Sequence, residues 1–501
     1  MYTVRFLLKT TAYDEQVLEK RFRAAAHIHN VLVSHAKKLL RKLEHNGEYQ
    51  SCRETYAALL KKGNLTKEEV YQKKQLSGRM DAVRRDIGLT EYSFQSYIKV
   101  CGKQFRKCLS SQQIQKEATR VWKGVRKVLF SDGRDIHFKK YCQFHTICGK
   151  SNSNGVKFHK EDHSIEWMGL SIFCKICEGQ MAALDHDISY CEAERKMFPN
   201  GWHYYVNIYL KGDAPRRLAK TGEPGSLTGI DMGVSTVAAI SDHAAMLEEL
   251  APRCPEYNKK IKKLLRHMDF SKRASNPKKY KADGTIDKGN HDRWIYSNTY
   301  KKDLRKLQSL YRQKAAYIKQ SHEEQANRLL AESVDFVTEE MSFKGLQRRA
   351  KKAGRSDILS VLRKKDGTVK NIRKYKRRRR FGRSLNNRAP SQFLTILERK
   401  AVLYGGSFIK VRTSTFRASQ YDHVSDTYEK IPLAQRNKMI GEKKVQRDLY
   451  SAFLLKNTGS SLKYPDRDKC IREFGKFLTI QDSLIENMKA RQITMKQCFG
   501  F

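Results

Sequence analysis

The chain has 501 residues, with 100 Lys and Arg against 53 Asp and Glu, a formal charge of +47. Self-repulsion on that scale works against a compact fold unless a polyanion screens it, which points to nucleic acid as the partner. No apolar run approaches the roughly 18 residues of a membrane span, and 11 scattered cysteines with no leader ahead of them do not read as a disulfide framework.

The expected protein is therefore cytoplasmic, nucleoid-associated when on DNA, and built of two to four domains. If about 6–10 cations neutralise phosphates, affinity should fall roughly 10³–10⁵-fold between 50 and 200 mM salt. Residues 2–10, YTVRFLLKT, read as one strand whose partners must lie far along the chain. From Asp14 the period changes. Leu18, Phe22, Ala25, Leu32, Ala36, Leu39 and Leu43 recur at three and four with Lys and Arg between them, which predicts a long amphipathic helix with a cationic outer face. Further helices are predicted around 66–86, 91–108 and 110–130, the last with Ser110 and Ser111 as N-caps.

From about Asp135 to Gly212 the period drops toward two. The clearest unit is a hairpin, Ile188 to Met197 and Trp202 to Leu210, about the turn Pro199, Asn200, Gly201. Trp202, Tyr204, Val206, Ile208 and Leu210 share one face, and His203, Tyr205 and Tyr209 the other. Cys174 and Cys177 form a C-x-x-C, with Cys142, His145 and Cys148 upstream. LSIFCKIC reads as a strand, however, and alternation would turn the two thiols to opposite faces, so no zinc site is expected there.

GEPGS at 222–226 is linker chemistry, followed by TGIDMGVSTVAAIS at 228–241. Asp231 stands inside this apolar strand, and a carboxylate there is costly to bury without a cationic partner such as a metal ion. A tight turn after Gly233 leads to a second strand, Thr236 to Ile240. Residues 253–300, basic and rich in Asn, Gly and Lys, read as an insertion or as a third strand with a long loop. Tyr300 to Leu330 is a strong helix with His322 on its apolar stripe, a structural position. VDFVTEEMSF is a strand ending in Glu339 and Glu340. In the basic linker KYKRRRRFGR, Lys376, Arg377, Arg378, Arg379 and Arg380 are candidate nucleic-acid contacts. A helix from Pro390 to Leu403, a strand from Ser407 to Thr413 and a helix from about Arg447 follow, with Asp448 in that helix's first turn, where the dipole favours an acid.

Alternation of this kind predicts an α/β layer on a mixed sheet. Two-metal phosphodiester cleavage needs carboxylates from separate elements converging on two ions about 3.5–4 Å apart, and hard oxygen ligands suit Mg²⁺. Acids on three separate elements could supply them, although spacing alone does not single out three among 53.

GIDMG at 229–233, TEEMSFKGL at 338–346 and QRDLYSAFLL at 446–455 resemble the three split motifs of the RuvC nuclease domain, of the RNase H-like fold, in TnpB proteins and compact type V CRISPR effectors. The order of the preceding segments is similar too, as are Asn30 and FKKY at 138–141. The resemblance implies a wedge-domain strand (1–13), a helical recognition lobe (14–130), a β-barrel wedge domain (131–225), a RuvC domain (226–417), a target-nucleic-acid-binding insertion (418–446), and the third RuvC motif with a basic tail (447–501). It implies an RNA-guided DNA endonuclease that loads a structured guide RNA, reads a short flanking motif in duplex DNA, forms an R-loop and cuts in one RuvC site. Asp231, Glu339 and Asp448 would hold two Mg²⁺ ions, with Glu340 behind them. Guide RNA and double-stranded DNA are the implied partners, with no membrane and with monomer and homodimer both open. The alternatives are a guided DNA-binding regulator with little or no cleavage and a DNA-only resolvase or transposase.

The sequence departs from the family pattern twice. The segment from Ala418 to Asp448 lacks the two C-x-x-C pairs that bind zinc in the family, so no zinc is expected. Tyr450 stands where Asn is usual.

Overall fold

The structure is a computed structural model that describes the chain except residues 132, 216–220, 348–354, 364–368, 376–380, 433–434 and 494–501, and gives mainly the backbone over 355–375. Lys376, Arg377, Arg378, Arg379 and Arg380 therefore lie outside the described residues. Among the described residues no helix is long and apolar enough to cross a membrane. Two compact units are present, Met1–Pro215 and Arg216–Phe501.

The first unit runs β1 (Tyr2–Leu8), α1 (Ala12–Glu44), α2 (Gly47–Lys62), α3 (Lys67–Ile87), α4 (Glu91–Cys101), α5 (Ser111–Phe130), β2 (Thr146–Cys148), β3 (Lys157–His159), β4 (Ser164–Trp167), β5 (Leu170–Lys175), β6 (Ile188–Phe198) and β7 (Gly201–Leu210). α1 begins at a capping box in which the Thr11 hydroxyl accepts from the Asp14 N–H and the Asp14 carboxylate accepts from the Thr11 N–H at 2.8 Å. All seven apolar positions of its predicted stripe are buried. Asn30, on the same helix, grips the FKKY stretch: its amide donates to the Lys139 carbonyl and accepts from the Lys139 N–H, both at 2.9 Å.

β1 finds its distant partners in β7, with Phe6 opposite Val206, and in β5. The sheet order is β2-β6-β7-β1-β5-β4-β3. This corrects the expected closed barrel. β2 and β3 are edges of three residues each, and no ladder joins them. A side chain links β3 to β6 instead: the Asn152 amide donates to the Phe158 carbonyl at 3.1 Å and accepts from the Phe158 N–H at 2.9 Å and from the Cys191 thiol at 3.4 Å. A second correction concerns the cysteines. β5 ends at Lys175, so Cys177 lies past the strand; Cys174 is buried and Cys177 exposed.

The second unit runs β8 (Leu227–Met232), β9 (Thr236–Ile240), β10 (Ala245–Glu249), α6 (Cys254–Ala274), α7 (Asn298–Glu332), β11 (Asp335–Glu339), α8 (Phe343–Leu346), β12 (Arg355–Arg363), β13 (Val369–Tyr375), α9 (Gly382–Arg388), α10 (Pro390–Leu403), β14 (Phe408–Val411), α11 (Thr413–Phe416), β15 (Tyr421–Asp422), β16 (Thr427–Tyr428), β17 (Asn437–Ile440), β18 (Lys443–Gln446), α12 (Arg447–Lys456) and α13 (Arg467–Ala490). The expectation for 253–300 is corrected here. The third strand is β10, upstream of that stretch, and α6 occupies its first half because Ile261, Leu264 and Met268 recur at helical spacing among the lysines.

Five strands form one mixed sheet in the order β10-β9-β8-β11-β14. β8, β9 and β10 are an antiparallel meander, while β11 runs parallel to both β8 and β14. Strand alternation divides its two faces. Ile230, Met232, Val237, Ala239 and Phe336 pack under Ala326, Leu329 and Leu330 of α7 and Phe393 and Leu397 of α10. Ala238, Ile240, Val337 and Val411 pack under Leu449, Ala452 and Phe453 of α12.

Candidate active site

Asp231 and Glu339 share the parity of the face that α12 covers. In the parallel ladder of β8 and β11, Thr338 is opposite Ile230, which puts Glu339 beside Asp231 at the C-terminal ends of neighbouring strands. Two residues earlier on that face is Gly229. A Cβ built there would stand 2.0 Å from the Ala452 carbonyl oxygen and 2.3 Å from the Lys456 nitrogen, so glycine is what lets the α12 backbone lie directly on β8. From this contact the third acid follows. Ala452 back to Asp448 is about 6 Å along a helix axis, and Gly229 forward to Asp231 is about 6.6 Å along a strand. Asp448, in the first turn of α12, is thereby brought over Asp231.

The electrostatics reflect this convergence. Asp231 keeps some accessible surface, but its carboxylate lies deep among protein atoms. Burial, followed by the charges of Asp448 and then Glu339, raises its pKa well above the ordinary carboxylate value, while Arg447 and Arg436 pull it back. Glu339 is also raised by burial, opposed by the Ala418 N–H that donates to its Oε1 at 3.0 Å. Asp448 is held by two arginines. Oδ1 accepts from Arg447 Nη2 at 2.9 Å and Nε at 3.1 Å, and Oδ2 accepts from Arg436 Nη1 at 3.3 Å. Glu340 is exposed; its main chain pairs with Val411 and accepts from the Thr413 hydroxyl.

Three sequence-designated acids thus stand at the ends of β8 and β11 and the start of α12, close enough for their charges to act on Asp231. Among the described residues no group of three or more His, Cys, Asp or Glu side chains stands in position to share a single metal ion. The cluster is one of like charges balanced by guanidinium. Its all-oxygen donor set suits a hard divalent cation, and the raised Asp231 marks where such a charge would be stabilised.

The described residues of 418–446 include two hairpins, β15–β16 and β17–β18. They are tied by Lys438, a buried ammonium that donates to the Gln420 carbonyl at 3.2 Å and the Tyr421 carbonyl at 2.9 Å; Arg417 stacks over Tyr428 at 4.2 Å. Tyr450 anchors the segment to α12. Its hydroxyl accepts from the His423 N–H at 3.2 Å and shares a 2.8 Å hydrogen bond with His423 Nδ1, inside an aromatic cluster with Phe453, Phe474 and Phe477.

No protein-family model matches this sequence, and no curated protein does. Among solved structures it is similar to a cryo-EM structure of a CRISPR-Cas12f ternary complex, with 12% identity, 91% of this chain and 99% of that chain covered, and a TM-score of 0.27. A likeness at that level identifies neither fold nor activity.

Sequence reasoning located the acids but not Arg436 and Arg447. Arg447 immediately precedes Asp448, a visible signal in QRD. Arg436 comes within reach only because the β17–β18 hairpin folds back, leaving the Arg447 N–H 2.8 Å from the Arg436 carbonyl.

Proposed function

We propose that the chain is an RNA-guided DNA endonuclease whose hydrolytic site is Asp231, Glu339 and Asp448, with two Mg²⁺ ions as cofactors. The observation that carries the hydrolytic part is the raised carboxylate of Asp231 between two further acids, in a chain of net charge +47. The guided part rests on the likeness of the three sequence motifs to RuvC segments, and on cationic surface far beyond what one acidic site requires.

Bound Mg²⁺ would activate water and neutralise charge on the scissile phosphate. The chain's own groups prepare for this. The Ala418 N–H fixes one oxygen of Glu339. Arg447 and Arg436 hold Asp448 in place, and their guanidinium groups suit phosphate oxygens once a cation takes the carboxylates. Guide pairing would supply sequence specificity, with the protein gripping backbone.

The test is to purify the full chain with co-expressed RNA, sequence that RNA, and assay Mg²⁺-dependent cutting of matching duplexes beside Asp231→Ala. The expected result is RNA-dependent cutting by the wild type and none by the variant. Equal cutting by RNA-free protein would reject guidance in favour of a DNA-only nuclease. Guided binding without cutting by the wild type would favour the regulator.

A further inference from the structure

α6 and α7 pack as a helical hairpin through Ile261, Met268 and Leu307. From Cys254 to Lys306 this arm has 16 Lys and Arg against six Asp and Glu. Its tip, residues 275–297, has a single short 3₁₀ turn, yet two buried polar side chains order it. The Asn276 amide donates to the Lys272 and Ile295 carbonyls at 2.8 and 2.7 Å and accepts from the Ile295 N–H at 2.7 Å. Lys279 Nζ donates to Asn290 at its carbonyl and side-chain oxygens, 3.2 and 3.1 Å away. Ser271 and Ser297 hydroxyls, 2.8 Å apart, close the base of the tip.

This ordering holds large apolar groups in water. Phe270 is 71% exposed, Ile295 64% and Tyr296 39%. Phe270 adjoins Ser271 and Tyr296 adjoins Ser297, so the bond between the two serines brings the exposed rings to one end of the arm. Cations interleave with aromatics throughout: Lys272 lies 3.9 Å over Trp294, and Arg273 4.6 Å over Tyr280. Tyr296 rests on Tyr300, 4.7 Å between ring centres, with part of its surface in water; rings exposed in this way among cations are the equipment of a surface that stacks bases and neutralises phosphates.

We propose that the tip of the α6–α7 arm binds unpaired polynucleotide, with bases stacking on Phe270 and Tyr296 and phosphates meeting the surrounding Lys and Arg. A duplex cannot occupy it in the same way, because its base faces are hidden in the stack. A second copy of this chain would bring the same positive arm against this one. A bilayer would need the apolar stripe of α6, which is already spent on Leu307. The inference adds a partner state to the nuclease reading and concerns binding alone, so either can fail without the other.

The experiment uses the full chain freed of RNA, in EDTA, with fluorescent 20-nucleotide oligouridine RNA, oligothymidine DNA and a 20-base-pair DNA duplex. Phe270→Ala/Tyr296→Ala should weaken binding of an unpaired probe by about tenfold or more, leave duplex affinity within about twofold, and leave the salt slope unchanged because no charge is removed. Loss on oligouridine alone identifies an RNA strand, loss on oligothymidine alone a displaced DNA strand, and loss on both a general single-strand surface; each supports the proposal. Lys278→Gln/Lys281→Gln/Arg293→Gln should instead flatten the salt slope on unpaired probes. The proposal is overturned if the double alanine variant binds unpaired probes as the wild type does, or loses duplex equally. It is equally overturned if the mutation acts by dissolving a dimer or by releasing anionic vesicles.

Discussion

The two faces of the five-stranded sheet use the same alternation to opposite ends. Toward α7 and α10, Ile230, Met232, Val237 and Phe336 present large side chains to large side chains, and helix and sheet are held apart by them. Toward α12, Gly229 and Ala238 meet Ala452, so backbone lies on backbone, and the residues at the strand ends are Asp231 and Glu339. One face is filled for stability. The other is thinned so that a helix start can reach two strand ends, and it carries like charges whose mutual repulsion opposes folding.

The comparison is broken most directly at Gly229. Gly229→Ala should cost about 3 kcal/mol or more, because its Cβ meets peptide atoms that no rotamer change can move; urea denaturation reads this directly. An unaltered midpoint would mean that α12 does not rest on β8.

On the opposite face, His322 is fully buried against Phe393, and burial pushes its imidazole down to about 4. Between that value and the ordinary 6.5, the unfolded chain binds a proton that the folded chain does not. Its contribution is present above pH 6.5 and is lost as pH falls through 4. Relative to His322→Phe, the wild type should lose up to about 3 kcal/mol over that window. Parallel pH profiles would contradict this.

Asp231→Asn should sharpen the contrast by raising stability where chemistry is lost. Burial beside Asp448 and Glu339 disfavours the charged form of Asp231, and a neutral isostere removes that penalty. In EDTA the melting temperature should rise by about 2 °C or more, for about 1 kcal/mol, and the variant should lose any stabilisation by added Mg²⁺. A fall in EDTA would show that Asp231 is held mainly by Arg447 and Arg436.

The smallest effect is expected at Thr338, buried toward α7 and α10 with no partner for its hydroxyl. Thr338→Val should be neutral or stabilising by about 1 kcal/mol, measured by the same urea titration.

Much of this architecture was legible in the residues. The stripe of α1, the hairpin of β6 and β7 and the position of α10 follow from periodicity and turn chemistry. Asp231 stands out as an acid inside an apolar strand, while Glu339 and Asp448 are singled out by motif resemblance alone. Other features were hidden for identifiable reasons. α6 is hidden in the sequence because its lysines obscure Ile261, Leu264 and Met268, and because the Gly- and Asn-rich stretch after it gives the whole region the composition of a loop. The link from β3 to β6 runs through a loop side chain, Asn152, which has no sequence periodicity to announce it. Arg436 at Asp448 and Lys438 between two hairpins depend on chain reversal, which composition does not encode.

Contact between peptide groups at Gly229 also makes the sheet and α12 into a ruler. The offset between Asp231 and Asp448 is set by strand rise against helix rise, both constants of the polypeptide, and not by the volumes of core side chains. Repacking of the α7 and α10 layer can therefore alter how firmly the unit folds while leaving the acids at the same separation.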